Sequence, residues 1–228
     1  MLAASSRIFA ADGLEGLTLG RVASELDLVP AALYRYFPSK DALIAALQRR
    51  AIGELAALYR AHLEALRPTL DTLAPTTRAI ALVLSTARFY LELPQRVPEL
   101  WRLVAVLLGD PRALLPDEEA MRAAPLLAEF LSSAVDVLSE AARVGAITPG
   151  SADAARARTL SLWAALHGAL CLEKLRRFDP SSPSAMELGL GLVEDLLRGW
   201  GADATTTGRA RRALDHREGK KGEGPGAD

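Results

Sequence analysis

Two prolines divide the stretch from Thr18 to Leu47 into three segments, and this division constrains the fold more than any other feature of the chain. After Thr18, which is suited to cap a helix, apolar residues recur at helical spacing. Pro30 suits the first position of a second helix, where its missing N–H is not needed. Pro38 ends that helix, and a longer segment follows. Two short helices joined by a tight turn form a helix-turn-helix, whose second helix can enter the major groove of DNA.

The turn and the helix ends carry residues with the required chemistry. Asp27 lies where the chain must turn, and aspartate tolerates the left-handed backbone conformation. Ser39 is placed to cap the third segment, with Lys40 at its entrance. In the second helix, predicted to run from Pro30 to Phe37, one side is expected to pack and the other to stay available.

This stretch resembles the N-terminal domain of the TetR-type transcriptional regulators. The resemblance covers residues 2–47 and depends on Phe9, Gly13, Thr18, Val22, Ala23, Leu33, Tyr34, Phe37, Lys40 and Leu43. It implies an all-α fold, with a small three-helix DNA-binding domain joined by a long helix to a larger helical domain that binds a ligand and dimerises.

The sequence departs from the family pattern in four ways. Asp27 replaces the usual turn glycine, Val29 the usual capping serine, and Ala32 a residue that often carries a hydroxyl group. The basic residues that usually precede the first helix are absent. These departures leave open an alternative, a dimeric helical ligand-binding or scaffolding protein with a weakened DNA-binding module.

Seven residues are predicted at the DNA interface: Thr18, Ala31, Ala32, Tyr34, Arg35, Tyr36 and Lys40. Arg35 is expected to read a base edge, because its forked guanidinium group can bind guanine with two hydrogen bonds. The other polar members are better placed for phosphates, which position a protein without specifying sequence.

Composition and charge do not by themselves point to DNA. The net charge is −1, and residues 1–50 contain six basic and five acidic residues. The single Cys171 excludes an internal disulfide, and the N-terminus lacks a signal-peptide pattern, so we expect a cytoplasmic protein. No apolar run approaches the roughly 18 residues of a membrane helix.

The rest of the chain has helical periodicity without strand-like alternation. It predicts helices over 2–12, 40–67, 76–93, 96–108, 117–144, 152–178 and 183–200, with Gly13 closing the first and Pro94 ending that of 76–93. We predict a DNA-binding domain over 1–47, a helical effector-binding and dimerisation domain over 48–200, and a disordered tail over 201–228, in which apolar residues nearly cease and charges cancel.

Trp163, His167 and Cys171 are spaced by four residues and so share one helical face. The stretch WAALHGALCLEKL around them resembles the W-x-x-x-H-G segment of some TetR-type C-terminal domains. A metal-binding or nucleophilic His–Cys pair has little support without a second cysteine or a metal-binding motif. We therefore predict no metal, cofactor or catalytic residue, and interpret His167 as a hydrogen-bonded interior histidine, with ligand contact as the alternative.

The family plan implies an effector pocket among the middle helices, and the predicted contacts are Arg88, Phe89, Trp101, Leu108, Phe130, Trp163 and His167. Most aromatic residues in these helices are expected to be core. An apolar lining favours an apolar or amphipathic small molecule. Arg88 is placed to orient an anionic group, although an exposed ion pair with Glu92 is the preferred interpretation.

Glycines inside the last two helices cost helix stability, up to ~1 kcal/mol each, which close packing can offset. The resemblance implies that these helices pair with their copies in a second subunit, and the predicted interface is Gly168, Leu172, Leu175, Gly189, Leu192, Val193 and Leu196.

Together these features predict a homodimeric regulator, most simply a repressor released from a palindromic double-stranded DNA operator by a small-molecule effector. An enzyme is disfavoured, because no carboxylate pair with a nearby histidine, phosphate loop or nucleophile–base arrangement occurs.

Overall fold

The structure is a computed structural model that describes residues 1–109 and 116–222, and every regular element in these residues is helical. The elements are α1 (Leu2–Gly16), α2 (Leu19–Glu25), α3 (Pro30–Tyr34), α4 (Lys40–Leu66), α5 (Pro75–Arg96), α6 (Pro98–Gly109), α7 (Asp117–Arg143), α8 (Ala152–Leu172), α9 (Ala185–Gly199) and α10 (Ala204–Gly222). Short 3-10 turns follow α4 and α8. The all-α prediction is confirmed.

The chain divides into two compact units. The first unit contains Met1–Leu58 and Leu93–Phe130, and the second contains Tyr59–Glu92 and Leu131–Asp228. The boundaries between the two units lie within α4, α5 and α7. They therefore differ from the predicted domain boundaries after residues 47 and 200.

In the first unit, residues 1–47 form the N-terminal head, and its first helices end and begin at the predicted signals. Gly13 has a φ of 68°, a left-handed conformation that breaks the helical run of α1 as predicted. The Thr18 hydroxyl oxygen accepts the Arg21 backbone N–H at 3.2 Å, so the predicted cap is present. Arg102 of α6 donates to the Ala10 carbonyl at 2.6 Å and ties α6 to the end of α1.

The turn before α3 is also as predicted, but α3 is shorter than expected. Asp27 has a φ of 53°, and Pro30 is the first residue of α3. The helix ends at Tyr34 rather than at the predicted Phe37, whose N–H donates to the Leu33 carbonyl at 2.9 Å. Beyond Tyr34 the chain tightens, since the Tyr36 N–H donates to the same carbonyl at 3.0 Å, and Pro38 disfavours helical geometry in Phe37.

Two later helix ends differ from the predictions. Helix α5 continues through Pro94 to Arg96, because a proline in the last turn removes only one hydrogen bond and the Val97 N–H still donates to Leu93 at 3.0 Å. Helix α8 ends at Leu172, and the 3-10 turn Glu173–Arg177 occupies the remainder of the predicted 152–178 helix.

The predicted disordered tail is wrong for residues 204–222, which form α10. Thr207, Ala210 and Leu214 lie on one side of this helix and are buried, so a narrow stripe of small and apolar residues anchors an otherwise polar element. Its charges have partners elsewhere in the second unit: Asp215 pairs with Arg88 of α5, and Arg211 with Glu194 of α9 at 2.6 Å. The charge balance that suggested a solvated tail thus reflects ion pairs with α5 and α9.

If α10 belongs to the folded protein, truncating its buried leucine will destabilise the whole chain. We expect Leu214→Ala to lower the free energy of unfolding by about 2 kcal/mol, because it removes a buried side chain. Met121→Ala, at an exposed position, serves as the control and should change stability by less than about 0.5 kcal/mol. Urea unfolding followed by circular dichroism measures both, and equal stability of the two variants would contradict the docking of α10.

Candidate functional sites

Helix α3 presents polar side chains on a scaffold fixed by one buried residue. Leu33 is completely buried, whereas Tyr34 and Tyr36 are 55% and 65% exposed. Ala31 and Arg35, the residue that follows α3, are also exposed, and Ala32 is half-buried. The structure therefore places the predicted α3 residues around a common anchor and leaves most of them accessible.

The ionised groups of the head differ in whether they have partners. Arg7 pairs with Glu25 at 3.4 Å, and Arg21 pairs with Asp12. In the described residues, 1–109 and 116–222, neither Arg35 nor Lys40 forms an ion pair. These two cations are consequently available to a polyanion, whereas the paired arginines are partly neutralised.

The two outlying predicted DNA contacts lie at helix starts. Thr18 is exposed, with its hydroxyl oxygen engaged in the cap of α2. Lys40 begins α4, where Ser39 accepts the Ala42 N–H at 3.1 Å, as predicted. The first turn of α4 therefore combines a lysine with the positive end of a helix dipole, which suits a phosphate oxygen.

Sequence reasoning did not identify the exposed apolar residues that precede α3. Leu28 and Val29 are 40% and 69% exposed, and Val29 gives α3 no side-chain cap. A valine in place of a capping residue was a visible signal, but its exposure required the structure. Side chains of this kind can contact the methyl group of thymine in a major groove.

In the second unit, Tyr90 connects two of the predicted ligand contacts. Trp163 Nε1 donates to the Tyr90 hydroxyl at 2.8 Å, and that hydroxyl lies 3.0 Å from His167 Nδ1. The indole can only donate, so the Tyr90 hydroxyl oxygen accepts from Trp163, and the same hydroxyl links that residue to His167. Burial raises the pKa of Tyr90 and lowers that of His167, so both groups are neutral near pH 7. The predicted hydrogen bond of His167 is present, and its partner Tyr90 was missed.

Phe89 and Arg88 are built into other contacts of the same unit. The Phe89 ring is buried, with its centroid 5.3 Å from that of Tyr59 and 5.1 Å from that of His62. Burial raises the pKa of Tyr59 to about 12, so this cluster carries no phenolate. Arg88 is buried and pairs with Asp215, a partner that the sequence did not suggest.

The remaining predicted ligand contacts lie elsewhere. Trp101 and Phe130 are half-buried and belong to the first unit, and the Leu108 side chain lies outside the described residues. The structure thus brings Trp163 and His167 together through Tyr90.

Among the described residues, no group of three His, Cys, Asp or Glu side chains is arranged to hold a metal ion. No helix in the same residues is long and apolar enough to cross a membrane.

The predicted interface residues separate into two sets. Leu172, Leu175 and Leu192 are exposed, and a Cβ atom added to Gly168 would meet no atom within 4 Å. Leu196 is half-buried. Gly189 and Val193 are buried within their own chain, and a Cβ on Gly189 would lie 2.8 Å from the Leu91 methyl groups. These two positions are therefore corrected from interface to core.

Comparison with known proteins agrees with this geometry. Residues 1–47 match the family model for bacterial regulatory proteins of the tetR family. Among curated proteins, none matches the chain.

Solved structures are similar to most of this chain. A tetR-family regulatory protein from Rhodococcus RHA1 is 20% identical over 89% of this chain and 95% of its own, with a TM-score of 0.58. A Rhodococcus sp. RHA1 protein of unknown function is 23% identical over 87% and 92% of the two chains, with a TM-score of 0.60. FadR from Bacillus subtilis, in complex with stearoyl-CoA, is 16% identical over 87% and 96%, with a TM-score of 0.58. At these identities the likeness shows a shared fold.

The lowered pKa of His167 makes a contribution to stability that depends on pH. The ordinary pKa of histidine is 6.5. When the pH falls below this value, the unfolded chain binds a proton at His167 more readily than the folded protein does. The stability that neutral His167 provides is therefore complete above pH 6.5 and is lost as the pH falls toward the lower folded-state pKa. We expect His167→Asn to reduce the loss of stability between pH 7 and pH 5.5, as measured by urea unfolding. His216→Asn on exposed α10 is the control, and a pH dependence that is the same in both variants would refute the role of His167.

Proposed function

We propose that the protein is a DNA-binding transcriptional regulator whose α3 enters the major groove. The observation that carries this proposal is the exposed set Tyr34, Arg35 and Tyr36 around the buried Leu33, within a head that matches the tetR family. Arg35 has no ion-pair partner in the described residues, and a guanidinium group suits the O6 and N7 atoms of guanine. Val29, which immediately precedes α3, adds an apolar contact for thymine.

Lys40, Thr18 and the two tyrosines are assigned to phosphates. Lys40 lies at the start of α4, where its charge and the backbone N–H groups of the first turn favour an anion. The tyrosine hydroxyls and Thr18 are exposed and neutral, so they position the head without adding to the salt dependence of binding. Arg35 and Lys40 are accordingly expected to differ in what they contribute.

We further propose that the regulator is a homodimer formed through α8 and α9. Leu160, Ala164, Gly168 and Leu172 recur every four residues on α8, and we call this line the seam. Its leucines are exposed, and Gly168 has open space beside it for a second backbone. Leu192 of α9 is exposed as well. A two-fold dimer would present two α3 helices to the half-sites of a palindromic operator.

The proposed effector is a small apolar or amphipathic molecule that releases a repressor from its operator. The Trp163–Tyr90–His167 group supports this, because it places a few polar atoms on helices whose buried side chains include Phe89, Leu162 and Leu166. FadR from Bacillus subtilis shares the fold and is in complex with stearoyl-CoA, itself an amphipathic molecule. Release requires that the effector and the operator favour different arrangements of the dimer.

A second candidate is a dimeric ligand-binding or scaffolding protein that has lost strong DNA binding. The specific observation in its favour is Val29, which leaves α3 without a side-chain cap. A gel-shift assay with the DNA upstream of its own gene separates the candidates, because the scaffold would not distinguish that DNA from a scrambled duplex.

Replacement of Arg35 and of Lys40 should weaken DNA binding in different ways. Arg35→Ala is expected to cost about 1–3 kcal/mol on the operator and to relax the preference at one base pair. Lys40→Ala should weaken operator and scrambled DNA equally and reduce the slope of log affinity against log salt by about one unit. Binding isotherms at several salt concentrations measure both effects. Equal loss on the two DNAs for Arg35→Ala, or an unchanged salt slope for Lys40→Ala, would reverse the assignment.

The dimer proposal can be tested at a glycine whose side is open. Gly168→Leu should shift the protein from dimers to monomers, because a leucine there would separate the two seams without clashing inside its own chain. Gly53→Leu in α4, which also has open space, is a matched control and should leave the dimer intact. Analytical ultracentrifugation at low micromolar concentration gives the result, and a Gly168→Leu protein that remains dimeric would exclude this interface.

A further inference from the structure

A cavity of about 470 Å³ lies between the end of α7 and the start of α8, within the second unit. Its walls include Leu138, Ala142, Arg143, Pro149, Ala155 and Arg158. Two guanidinium groups thus face a partly apolar space, and its lining contains no carboxylate. The volume falls within the range of small-molecule sites, roughly 300–1,000 Å³.

The two arginines keep hydrogen-bonding capacity for a ligand. In the described part of the chain, Arg143 forms no ion pair or hydrogen bond. Arg158 donates Nη1 to the Thr148 carbonyl at 2.9 Å, which leaves other N–H groups of its five donors available. The nearby acidic residues are engaged elsewhere: Asp153 pairs with Arg156, and Glu140 pairs with Arg67 at 2.8 Å. The electrostatic balance at the cavity therefore favours an anion.

The wall formed by the α7–α8 connection is held in place before any ligand binds. The Thr148 N–H donates to the Trp200 carbonyl at 2.7 Å, and the Arg158 guanidinium lies 5.7 Å from the Trp200 ring centroid. Ser151 caps α8 by accepting the Ala154 N–H at 3.2 Å. These contacts fix both the connection and the direction of Arg158, so little ordering is required on binding.

The cavity lies away from the proposed dimer seam. Ala155 and Arg158 occupy the side of α8 roughly opposite Leu160, Ala164 and Gly168, given 3.6 residues per turn. A second subunit on the seam would consequently leave the cavity open to solvent.

We propose that this cavity binds a small organic phosphate. Two arginines can balance the charge of a phosphate monoester, which is close to −2 at neutral pH, and forked guanidinium groups suit its oxygens. The organic part would lie against Leu138, Ala142 and Pro149. The site is separate from the Trp163–Tyr90–His167 group, and the proposal does not depend on DNA binding.

Phenyl phosphate is a suitable probe, and isothermal titration calorimetry at low ionic strength and pH 8 is a direct test. We expect saturable binding at least fivefold tighter than that of inorganic phosphate, and none for benzyl alcohol. Arg143→Gln should weaken the affinity for phenyl phosphate at least tenfold. Arg176→Gln, at an exposed arginine that pairs with Glu173 beyond the far end of α8, is the matched control and should stay within twofold of the unmodified protein.

Arg158→Gln should also weaken binding at least tenfold, but it removes a contact to Thr148, so its unfolding midpoint must be measured alongside. Arg143 has no such contact and isolates the effect of charge. The proposal is overturned if phenyl phosphate does not bind saturably, or if Arg143→Gln and Arg176→Gln weaken its binding equally. Inorganic phosphate binding as tightly as phenyl phosphate would overturn the assignment of an organic ligand.

Discussion

The burial of Leu33 determines how the head can present its surface. Helix α3 has five residues, far fewer than an isolated helix needs for stability in water, so tertiary packing must hold it. Leu33 is fully buried, as are Leu17, Val22 and Leu43 in the same unit. Because Tyr34 and Arg35 directly follow this anchor, their directions are set by the packing of one leucine. A loss of that packing would remove the surface as well as the stability.

The features that sequence alone predicted are those that depend on neighbouring residues. The Thr18 and Ser39 caps, the left-handed Asp27 and the helical start at Pro30 each involve groups within a few positions along the chain. Local backbone chemistry is sufficient for such signals. The same reasoning overestimated α3, which ends at Tyr34, three residues before the predicted Phe37.

The features that sequence missed depend on distant partners. The sequence predicts a disordered tail in place of α10, since the buried stripe of this helix is narrow and Arg88, the partner of Asp215, lies 127 residues away along the chain. Gly168 and Gly189 looked equivalent in the sequence, yet one has open space beside it and the other touches Leu91. Likewise, Tyr90 had no motif to mark it, and its role appears only when α5 lies beside α8. Which face a residue occupies is decided by packing, which periodicity describes only approximately.

The central proposal is that the N-terminal head reads DNA sequence. Selection of bound duplexes from a random library tests this proposal most directly. The purified full-length protein would be incubated with the library, and bound duplexes would be recovered and sequenced over several rounds. A dimer with two α3 reading helices predicts enrichment of one motif with inverted symmetry, in which the half-sites lie on one face of the duplex. Recovery of duplexes without any shared motif, at salt concentrations where binding is measurable, would contradict the account.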